Sequence, residues 1–372
     1  MTPLELFFDL VFVLALTQCT ALMANDPTWH GVAQAMLVLG VMWWSWVGYA
    51  WLTSVVNPEE GSVRVLMLAA MAAFLVVALC VPGAFDDDAL LFACAYGIVR
   101  YAQVGLLLLA ARDDPGLHHS SAGLAVSTGV GVVLLVAAAF LDGVPQGALW
   151  ALALALDMGG PMLIDSSGWR LEPGHFAERH GQIVIIALGE SIVAIGVGAE
   201  TGVDAGVVVA AVLGVVIAGA LWWLYFDIVA LVAERRLTNA PPGKVRNEIA
   251  RDSFSYLHLP MVAGIVLLAL GLKKTLAHVE DPLKLVPAAA LLGGTAIYLL
   301  AHVAFRWRNV HRFSVQRLIV AVALVALLPA ALELPALVTQ AIVGAVLVVL
   351  IAYEARRFAE LRERLRHQLA ED

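Results

Sequence analysis

Long apolar runs separated by short polar joints fill the chain from one end to the other. A helix needs about 20 mostly apolar residues to cross a bilayer. Twelve stretches meet this requirement, at roughly 4–24, 31–56, 63–84, 89–111, 120–141, 145–164, 176–198, 204–233, 252–272, 284–305, 314–333 and 335–355. Turn-forming residues, such as the run from Asp113 to Gly116, mark most of the joints. The pattern predicts an all-α, polytopic transmembrane helix bundle of about twelve spans.

The composition points to the same class. Of the 372 residues, 61% are hydrophobic and 14% are charged, whereas soluble domains average about 45–50% apolar and about 25% charged residues. The net charge of −8 adds little, because the position of each charge along the bilayer normal matters more than the sum. Cys19, Cys80 and Cys94 lie in apolar runs without a CxxC pair, so neither a disulfide framework nor a zinc site is expected.

The basic residues of the joints predict the orientation of the chain. Lys and Arg accumulate on the cytoplasmic side of membrane proteins. They cluster in alternate connections and in the C-terminal tail, at Arg235, Arg236, Lys244, Arg246, Arg251, Arg306, Arg308, Arg312, Arg317, Arg356, Arg357, Arg362, Arg364 and Arg366. The opposite side carries the acidic run Asp86-Asp87-Asp88 and few lysines. Both termini are therefore expected in the cytoplasm, which requires an even number of spans.

Two acidic stretches about half a chain apart predict an internal repeat. The first contains Glu5 and Asp9, which share one helix face because they stand at i and i+4. When Glu5 is aligned on Glu178 of the second stretch, Asp9 falls opposite Gln182. An ionisable residue inside a membrane helix usually faces a partner charge or a water-filled interior. Each half of the chain is thus expected to open with a helix that carries such residues.

Tryptophans repeat at a similar spacing, since Trp43 lies in the second predicted helix and Trp222 in the eighth. We therefore predict two parallel six-helix repeats, at 1–170 and 171–355. A basic and acidic helical tail at 356–372 follows them on the cytoplasmic side. In transporters built from parallel repeats, binding sites lie at the interface between the halves.

Glu5 and Asp9 each allow a structural and a functional interpretation. Thr2, Pro3 and Glu5 fit a helix-capping box, so Glu5 either caps the helix or belongs to a site on the cytoplasmic side. Asp9 lies about 6 Å further along the helix axis, beyond the reach of capping. It either takes part in function or forms a buried ion pair, or a bond to serine or tryptophan, that holds two helices together.

Glu190 is predicted near the middle of its span, about 18 Å along the helix from Glu178. The repeat aligns it with Thr17. Burial at that depth favours the protonated carboxylic acid, which would make proton coupling available. The structural alternative is a neutral glutamic acid that hydrogen-bonds across helices.

Arg100 is predicted in the middle of the fourth span, where its guanidinium cannot easily reach the interface. A buried arginine needs a carboxylate nearby. Asp9, Asp157 and Glu190 are the candidates, and we favour Asp9. Asp157 and Asp227 complete the buried acids, and Asp227 follows two tryptophans whose indole N–H groups are natural structural partners.

Histidines near the spans raise the question of a metal site. His175, Glu178 and His180 form the pattern HxxExH, but the two histidines lie about 140° apart on a helix and cannot converge on one ion. A metal site would need His258 or Asp252 from elsewhere. No metal or other cofactor is predicted, and His180 is interpreted as a hydrogen-bonding or titrating group.

Two sequence signatures resemble those of a known family. The first is ELFFDLVFV at Glu5–Val13, followed by Gln18, and the second joins HFAERHG at His175–Gly181 to ALGES at Ala187–Ser191. In this order they resemble the bacterial low temperature requirement A (LtrA) proteins, over nearly the whole chain. The resemblance implies a multi-helix protein of the bacterial inner membrane and no particular molecular activity.

The sequence leaves three functions open. The leading hypothesis is a transporter or channel for a small ion or solute, with proton coupling through Glu190 or Asp9. The alternatives are a membrane-embedded enzyme acting on a lipid or isoprenoid and a structural factor whose buried charges specify packing. Expected partners are the lipid bilayer and the substrate; no nucleic acid is expected, and a homo-oligomer stays open. The candidate pathway or binding residues are Glu5, Asp9, Gln18, Trp43, Arg100, Asp157, Glu178, His180, Gln182, Glu190, Trp222, Asp227 and His258.

Overall fold

The computed structural model describes residues 1–163, 168–198, 202 and 204–359. Within these residues the chain is helical and forms no strand, which confirms the predicted all-α class. The helices are α1 Pro3–Asn25, α2 Trp29–Leu52, α3 Gly61–Leu79, α4 Ala89–Ala110, α5 Pro115–Ala138, α6 Gly143–Leu163, α7 Pro173–Gly198, α8 Ala205–Phe226, α9 Val229–Thr238, α10 Lys244–Ile249, α11 His258–Ala277, α12 Leu285–Val310, α13 Val315–Ala326, α14 Leu328–Ala331 and α15 Ala336–Arg357. A π-helical segment, Ala250–Tyr256, joins α10 to α11.

Ten helical segments in the described part of the chain are long and apolar enough to cross a membrane. Two of the twelve predicted spans are not among them. The predicted span 145–164 corresponds to α6, whose 21 residues include Gln146, Asp157 and Pro161. The predicted span 314–333 is divided between α13 and α14, and the 12 residues of α13 reach only about 18 Å. The arrangement with twelve spans stays a prediction.

Side chains at the helix starts satisfy backbone N–H groups that have no partner within the helix. Thr2 and Glu5 form the predicted capping box at α1. Thr28 caps α2, Asp114 caps α5 and Asp204 caps α8, each by accepting backbone N–H hydrogen bonds. The polar residues of the joints thus define where these helices begin.

The chain divides into two compact units, and the first comprises Met1–Glu190 and Arg236–Leu259. In this unit α1 packs against α2 and α3, α4 against α3 and α5, and α5 against α6. Buried aromatic rings fill the space between the first three helices, and the ring of Phe8 lies 4.7 Å from Tyr49 and 5.9 Å from Phe74.

The second unit comprises Ser191–Arg235 and the chain from Pro260 onwards. In it α8 packs against α15, and α12 packs against α13. The predicted repeats at 1–170 and 171–355 stay a prediction. Most of the predicted tail, residues 360–372, lies outside the described residues.

Candidate functional site

Glu5 serves as a helix cap and as a member of a buried charge cluster. Its Oε2 atom accepts the backbone N–H of Thr2 at 2.9 Å. The same oxygen lies 2.9 Å from Nε2 of His175, and Oε1 lies 3.4 Å from Nη1 of Arg179. The capping role predicted for Glu5 is therefore confirmed, and the carboxylate also faces two residues of α7.

Asp9 forms a fully buried ion pair with Arg179, with 2.8 Å between Oδ1 and Nη2. The indole N–H of Trp46 donates to the same oxygen at 2.8 Å, and the Arg179 guanidinium lies 5.5 Å from the centre of the Trp46 ring. Oδ2 of Asp9 and Nε of Arg179 have no hydrogen-bond partner among the described residues. We call Glu5, Asp9, Trp46, His175 and Arg179 the Asp9 centre.

The prediction that Arg100 pairs with Asp9 is wrong, because Arg100 pairs with Asp157. Nη2 of Arg100 lies 2.9 Å from Oδ1 of Asp157. Thr128 donates to that oxygen at 3.0 Å, and the Tyr96 hydroxyl donates to Oδ2 at 3.2 Å. The reason is helix neighbourhood: α4 packs on α5 and α5 on α6, which brings the carboxylate of α6 within reach, whereas the charge of Asp9 is matched by Arg179.

A small cavity of about 60 Å³ borders Arg100 in the first unit. Its wall includes three indoles and two guanidinium groups, from Trp44, Trp51, Trp169, Arg100 and Arg251, and the amide of Gln103. Nε of Arg100 and Nε2 of Gln103 are buried N–H groups with no acceptor among the described residues. By the same volume measure a water molecule needs about 10–15 Å³, so the cavity has room for a few waters or a small polar group.

Helix α2 contacts both the Asp9 centre and the Arg100–Asp157 ion pair of the first unit. Trp46 donates to Asp9, and the carbonyl oxygen of Trp44 accepts from Nη1 of Arg100 at 3.4 Å. Gly48 of the same helix lines the cavity, and an added Cβ there would stand 2.5 Å from Oε1 of Gln103. A shift of α2 would therefore be felt at the Asp9 centre and at the cavity together.

Glu190 is buried at the end of the first unit and accepts a hydrogen bond from the hydroxyl of Thr17. The predicted repeat aligns these two residues as equivalent positions of the two halves. In the structure their side chains are in contact. Gln18 and Gln182 are half-buried and do not belong to the Asp9 centre. Glu178 lies near the surface, where it binds the amino group of Met1 at 2.8 Å.

His180 and His258 belong to a buried aromatic cluster. Their rings lie 5.2 Å apart, and His180 lies 5.1 Å from Trp46. Nδ1 of His180 is 2.9 Å from the Phe176 carbonyl oxygen, and the Trp43 indole donates to the carbonyl oxygen of Ser255 at 2.9 Å. Among the described residues no group of three or more His, Cys, Asp and Glu side chains is arranged to hold a metal ion.

The remaining candidates, Trp222 and Asp227, lie in the second unit. Trp222 is 44% exposed and stacks on Phe226 at 5.4 Å. Asp227 follows the last turn of α8 and borders a cavity of about 20 Å³ with Arg317 and Glu354. Neither residue belongs to the Asp9 centre.

Arg179 was not predicted as a site residue. A signal for it exists in the pattern. His175 and Arg179 stand at i and i+4, as do Glu5 and Asp9, so one helix offers two carboxylates and another offers two bases at the same spacing.

Helices of this length and apolarity, with ion pairs buried inside them, define a multi-pass helical membrane protein. Residues 1–352 match the family model described as bacterial low temperature requirement A protein, and the chain belongs to that family. An uncharacterized protein of Rhizobium meliloti (strain 1021) is 31% identical over 310 residues, which cover 79% of this chain and 74% of the relative. No solved structure matches the chain. The family resemblance seen in the two signatures is confirmed.

Proposed function

We propose that the protein is a transporter of a small solute across the bacterial inner membrane, with proton coupling through the Asp9 centre. One observation carries this proposal. Asp9 and Arg179 are fully buried, yet each keeps an atom without a hydrogen-bond partner among the described residues. Buried polar groups are normally satisfied, so open positions on a buried charge pair are suited to a proton, a water molecule or an ion.

Coupling would follow from an exchange of partners at Arg179. With Asp9 ionised, Arg179 is closer to Asp9 at 2.8 Å than to Glu5 at 3.4 Å. Protonation of Asp9 removes its charge and leaves Glu5 as the stronger partner for the guanidinium. The Asp9 centre then has two arrangements, which a proton can bias.

The solute would bind in the cavity beside Arg100. The unpartnered N–H groups of Arg100 and Gln103 are donors, so the solute is expected to carry acceptor oxygens, as a carboxylate does. Three indoles on the same wall provide apolar and aromatic surface for its remaining part. Because α2 touches this cavity and the Asp9 centre, it would transmit the change between them.

The lipid-modifying enzyme would place its pocket beside Asp9 or Glu190. The cavity described here borders Arg100 instead, and neither of those two carboxylates is among its lining residues. We therefore favour transport over lipid modification. We also place both termini in the cytoplasm, on the distribution of Lys and Arg along the chain.

The test is flux into proteoliposomes that contain the purified protein. An imposed pH gradient should drive uptake of small labelled carboxylates, and the accompanying proton movement should appear in an internal pH dye. Asp9→Asn should abolish both signals, and Arg100→Gln should abolish solute uptake. Asp87→Asn is the matched control, because Asp87 is exposed and belongs neither to the Asp9 centre nor to the lining of the cavity beside Arg100.

Two results would contradict the proposal. One is a wild-type protein that is folded and inserted but moves neither protons nor carboxylates. The other is full activity of the folded Asp9→Asn variant, which would mean that the Asp9 centre serves packing alone.

A further inference from the structure

A second and larger cavity, of about 300 Å³, lies in the second unit. It is formed where three helices end or begin: α12 ends at Val310, α13 begins at Val315 and α15 ends at Arg357. Its position is therefore at one end of the helices, the level at which a membrane protein meets lipid headgroups. The basic residues of this region place that end on the cytoplasmic side in our proposed orientation.

The lining of this cavity carries more positive than negative charge. Its guanidinium groups come from Arg306, Arg312 and Arg317, and Glu354 is its carboxylate. Glu354 is already matched, because Arg317 binds it through Nε at 2.9 Å and Nη2 at 2.7 Å. Two arginines are left facing the cavity without a carboxylate of their own in its lining.

The charges of the two remaining arginines, Arg306 and Arg312, are available to an anion. Arg306 donates to the neutral hydroxyl of Ser314 at 3.0 Å and lies 5.5 Å from the ring centre of Phe358. Arg312 is exposed and forms no ion pair among the described residues. Neither interaction of Arg306 neutralises its charge, so the cavity has a positive rim of two guanidinium groups.

The rest of the wall is mostly apolar, with His302, Asn309 and Ser314 as its polar residues. Ile228, Val229 and Val232 come from the connection after α8 and from α9, and Phe305 and Val310 come from α12. A free inorganic anion would leave this surface uncovered. A ligand with an anionic head and an apolar body matches both parts of the wall.

We propose that this cavity, the basic cavity, binds the phosphate headgroup of an anionic phospholipid. Arg306 and Arg312 would hold the phosphate, since guanidinium groups suit the geometry of phosphate oxygens. The aliphatic wall would cover the glycerol backbone and the first acyl carbons. Basic pockets between the cytoplasmic ends of membrane helices are suited to such headgroups. This inference does not depend on the proposed transport activity.

The experiment measures lipid retention by the purified full chain in an uncharged detergent, with native mass spectrometry. Dioleoylphosphatidylglycerol is compared with dioleoylphosphatidylcholine, and protection by inorganic phosphate is compared with protection by the anionic lipid in separate thermal-unfolding measurements. We expect the anionic lipid to bind about tenfold more tightly than the zwitterionic lipid, a difference of about 1.4 kcal/mol. The preference should weaken as salt is added, because part of the site is exposed.

Three variants localise the site. Arg306→Gln combined with Arg312→Gln should remove the preference for the anionic lipid. Arg312→Gln alone should reduce it, and because this exposed side chain forms no ion pair among the described residues, the variant tests the proposal without a risk to folding. Arg64→Gln combined with Arg112→Gln removes the same charge from exposed arginines of the first unit and should leave the preference intact.

The proposal is overturned if the two lipids bind equally well to the wild type, or if the preference survives the loss of both Arg306 and Arg312. An equal loss in the Arg64 and Arg112 control would show a general charge effect and would also overturn it. Protection by inorganic phosphate equal to that by the anionic lipid would assign the cavity to a soluble anion instead.

Discussion

Arg179 lies 2.8 Å from Asp9, and neither side chain has exposed surface. In a membrane-spanning helix neither charge has bulk water as an alternative partner, so each depends on the other. Glu5 supports the pair from one turn away, at 3.4 Å from Arg179. The pair is thus both a structural contact between α1 and α7 and the group on which the proposed proton coupling depends.

Removal of one charge from this pair should destabilise the protein strongly. Asp9→Leu leaves Arg179 buried with Glu5 as its remaining carboxylate at 3.4 Å, and Arg179→Met removes the arginine from both carboxylates. Breaking a buried pair from one side costs about 3–5 kcal/mol, so we expect a large fall in the unfolding midpoint measured in detergent for each variant.

The double variant Asp9→Leu with Arg179→Met is the informative comparison. It removes both charges, so it should be clearly more stable than the sum of the two single effects predicts. Strictly additive losses would show that Asp9 and Arg179 do not depend on each other.

A side chain at Gly48 is predicted to displace two buried side chains of α4. An added Cβ would lie 2.5 Å from Oε1 of Gln103 and 2.7 Å from Nη1 of Arg100, and these two atoms are themselves joined by a hydrogen bond of 2.7 Å. Gly48→Ala should therefore separate them and cost about 1–3 kcal/mol. Unfolding in detergent and binding of a carboxylate solute should both be affected.

Gly105→Ala provides the control for this prediction. Gly105 lies in α4, the helix that carries Arg100 and Gln103, but nothing stands within 4 Å of its added Cβ. Alanine in a helix interior is favoured over glycine by about 0.5–1 kcal/mol, so the control should be neutral or slightly stabilising. Equal behaviour of the two variants would mean that the contact with Gln103 is not restrictive.

The helices and their class could be predicted because the lengths of the apolar runs determine them. The predicted span 89–111 differs by one residue from α4 at Ala89–Ala110, and the capping box at Thr2 and Glu5 was recognised from residue types alone. The division after α13 was not predicted, because the run 314–333 is apolar apart from its ends. Pro329, in the first turn of α14, is the signal that marks it, since proline disfavours a helical conformation in the residue before it.

The candidate site could be predicted in part, for a physical reason. A buried charge needs a partner, so Asp9 and Arg100 were recognisable from their depth. The identity of each partner depends on which helices are neighbours, and an apolar surface that packs well does not encode this in its pattern. For this reason Arg100 was predicted to pair with Asp9, and Arg179 was not predicted as the partner of Asp9.

Asp114 should stabilise the start of α5 in a pH-dependent way. Its carboxylate accepts the backbone N–H groups of Leu117 at 3.2 Å and Gly116 at 3.1 Å, and it pairs with Arg170 at 2.9 Å. The hydrogen bond from Leu117, with a smaller contribution from the charge of Arg170, lowers the pKa of Asp114 below its ordinary value. Because the pKa is lowered in the folded state, the stabilisation is present above the unfolded pKa and is lost as the pH falls through the folded one.

Variants at Asp114 separate the charge from the cap. Asp114→Asn keeps a capping oxygen but removes the titration, and Asp114→Ala removes both. At pH 7 the unfolding midpoint should decrease from wild type to Asp114→Asn to Asp114→Ala. The gap between wild type and Asp114→Asn should close as the pH falls below the unfolded pKa of aspartate, about 3.9, and through the lowered folded pKa. A gap that stays constant over this range would show that the charge contributes nothing.

Gly294 should tolerate no side chain, because α11 and α12 approach each other closely through it. An added Cβ at Gly294 would lie 2.6 Å from the carbonyl oxygen of Gly264 and 2.7 Å from the backbone nitrogen of Leu268. Both are backbone atoms, so the two helices would have to move apart, and membrane helices depend on such close packing of small residues. We expect Gly294→Ala to cost about 1–3 kcal/mol, the range found for overpacked cores.

The neighbouring residue supplies the control for this last prediction. Gly293 precedes Gly294 in the same helix, yet an added Cβ there has nothing within 4 Å. Gly293→Ala should therefore leave the unfolding midpoint unchanged or slightly raised, whereas Gly294→Ala should lower it in the same detergent. Since both variants add one methyl group to the same turn, their difference measures the contact with α11 alone. If the two midpoints agree, the close approach of α11 and α12 is not a source of stability in this protein.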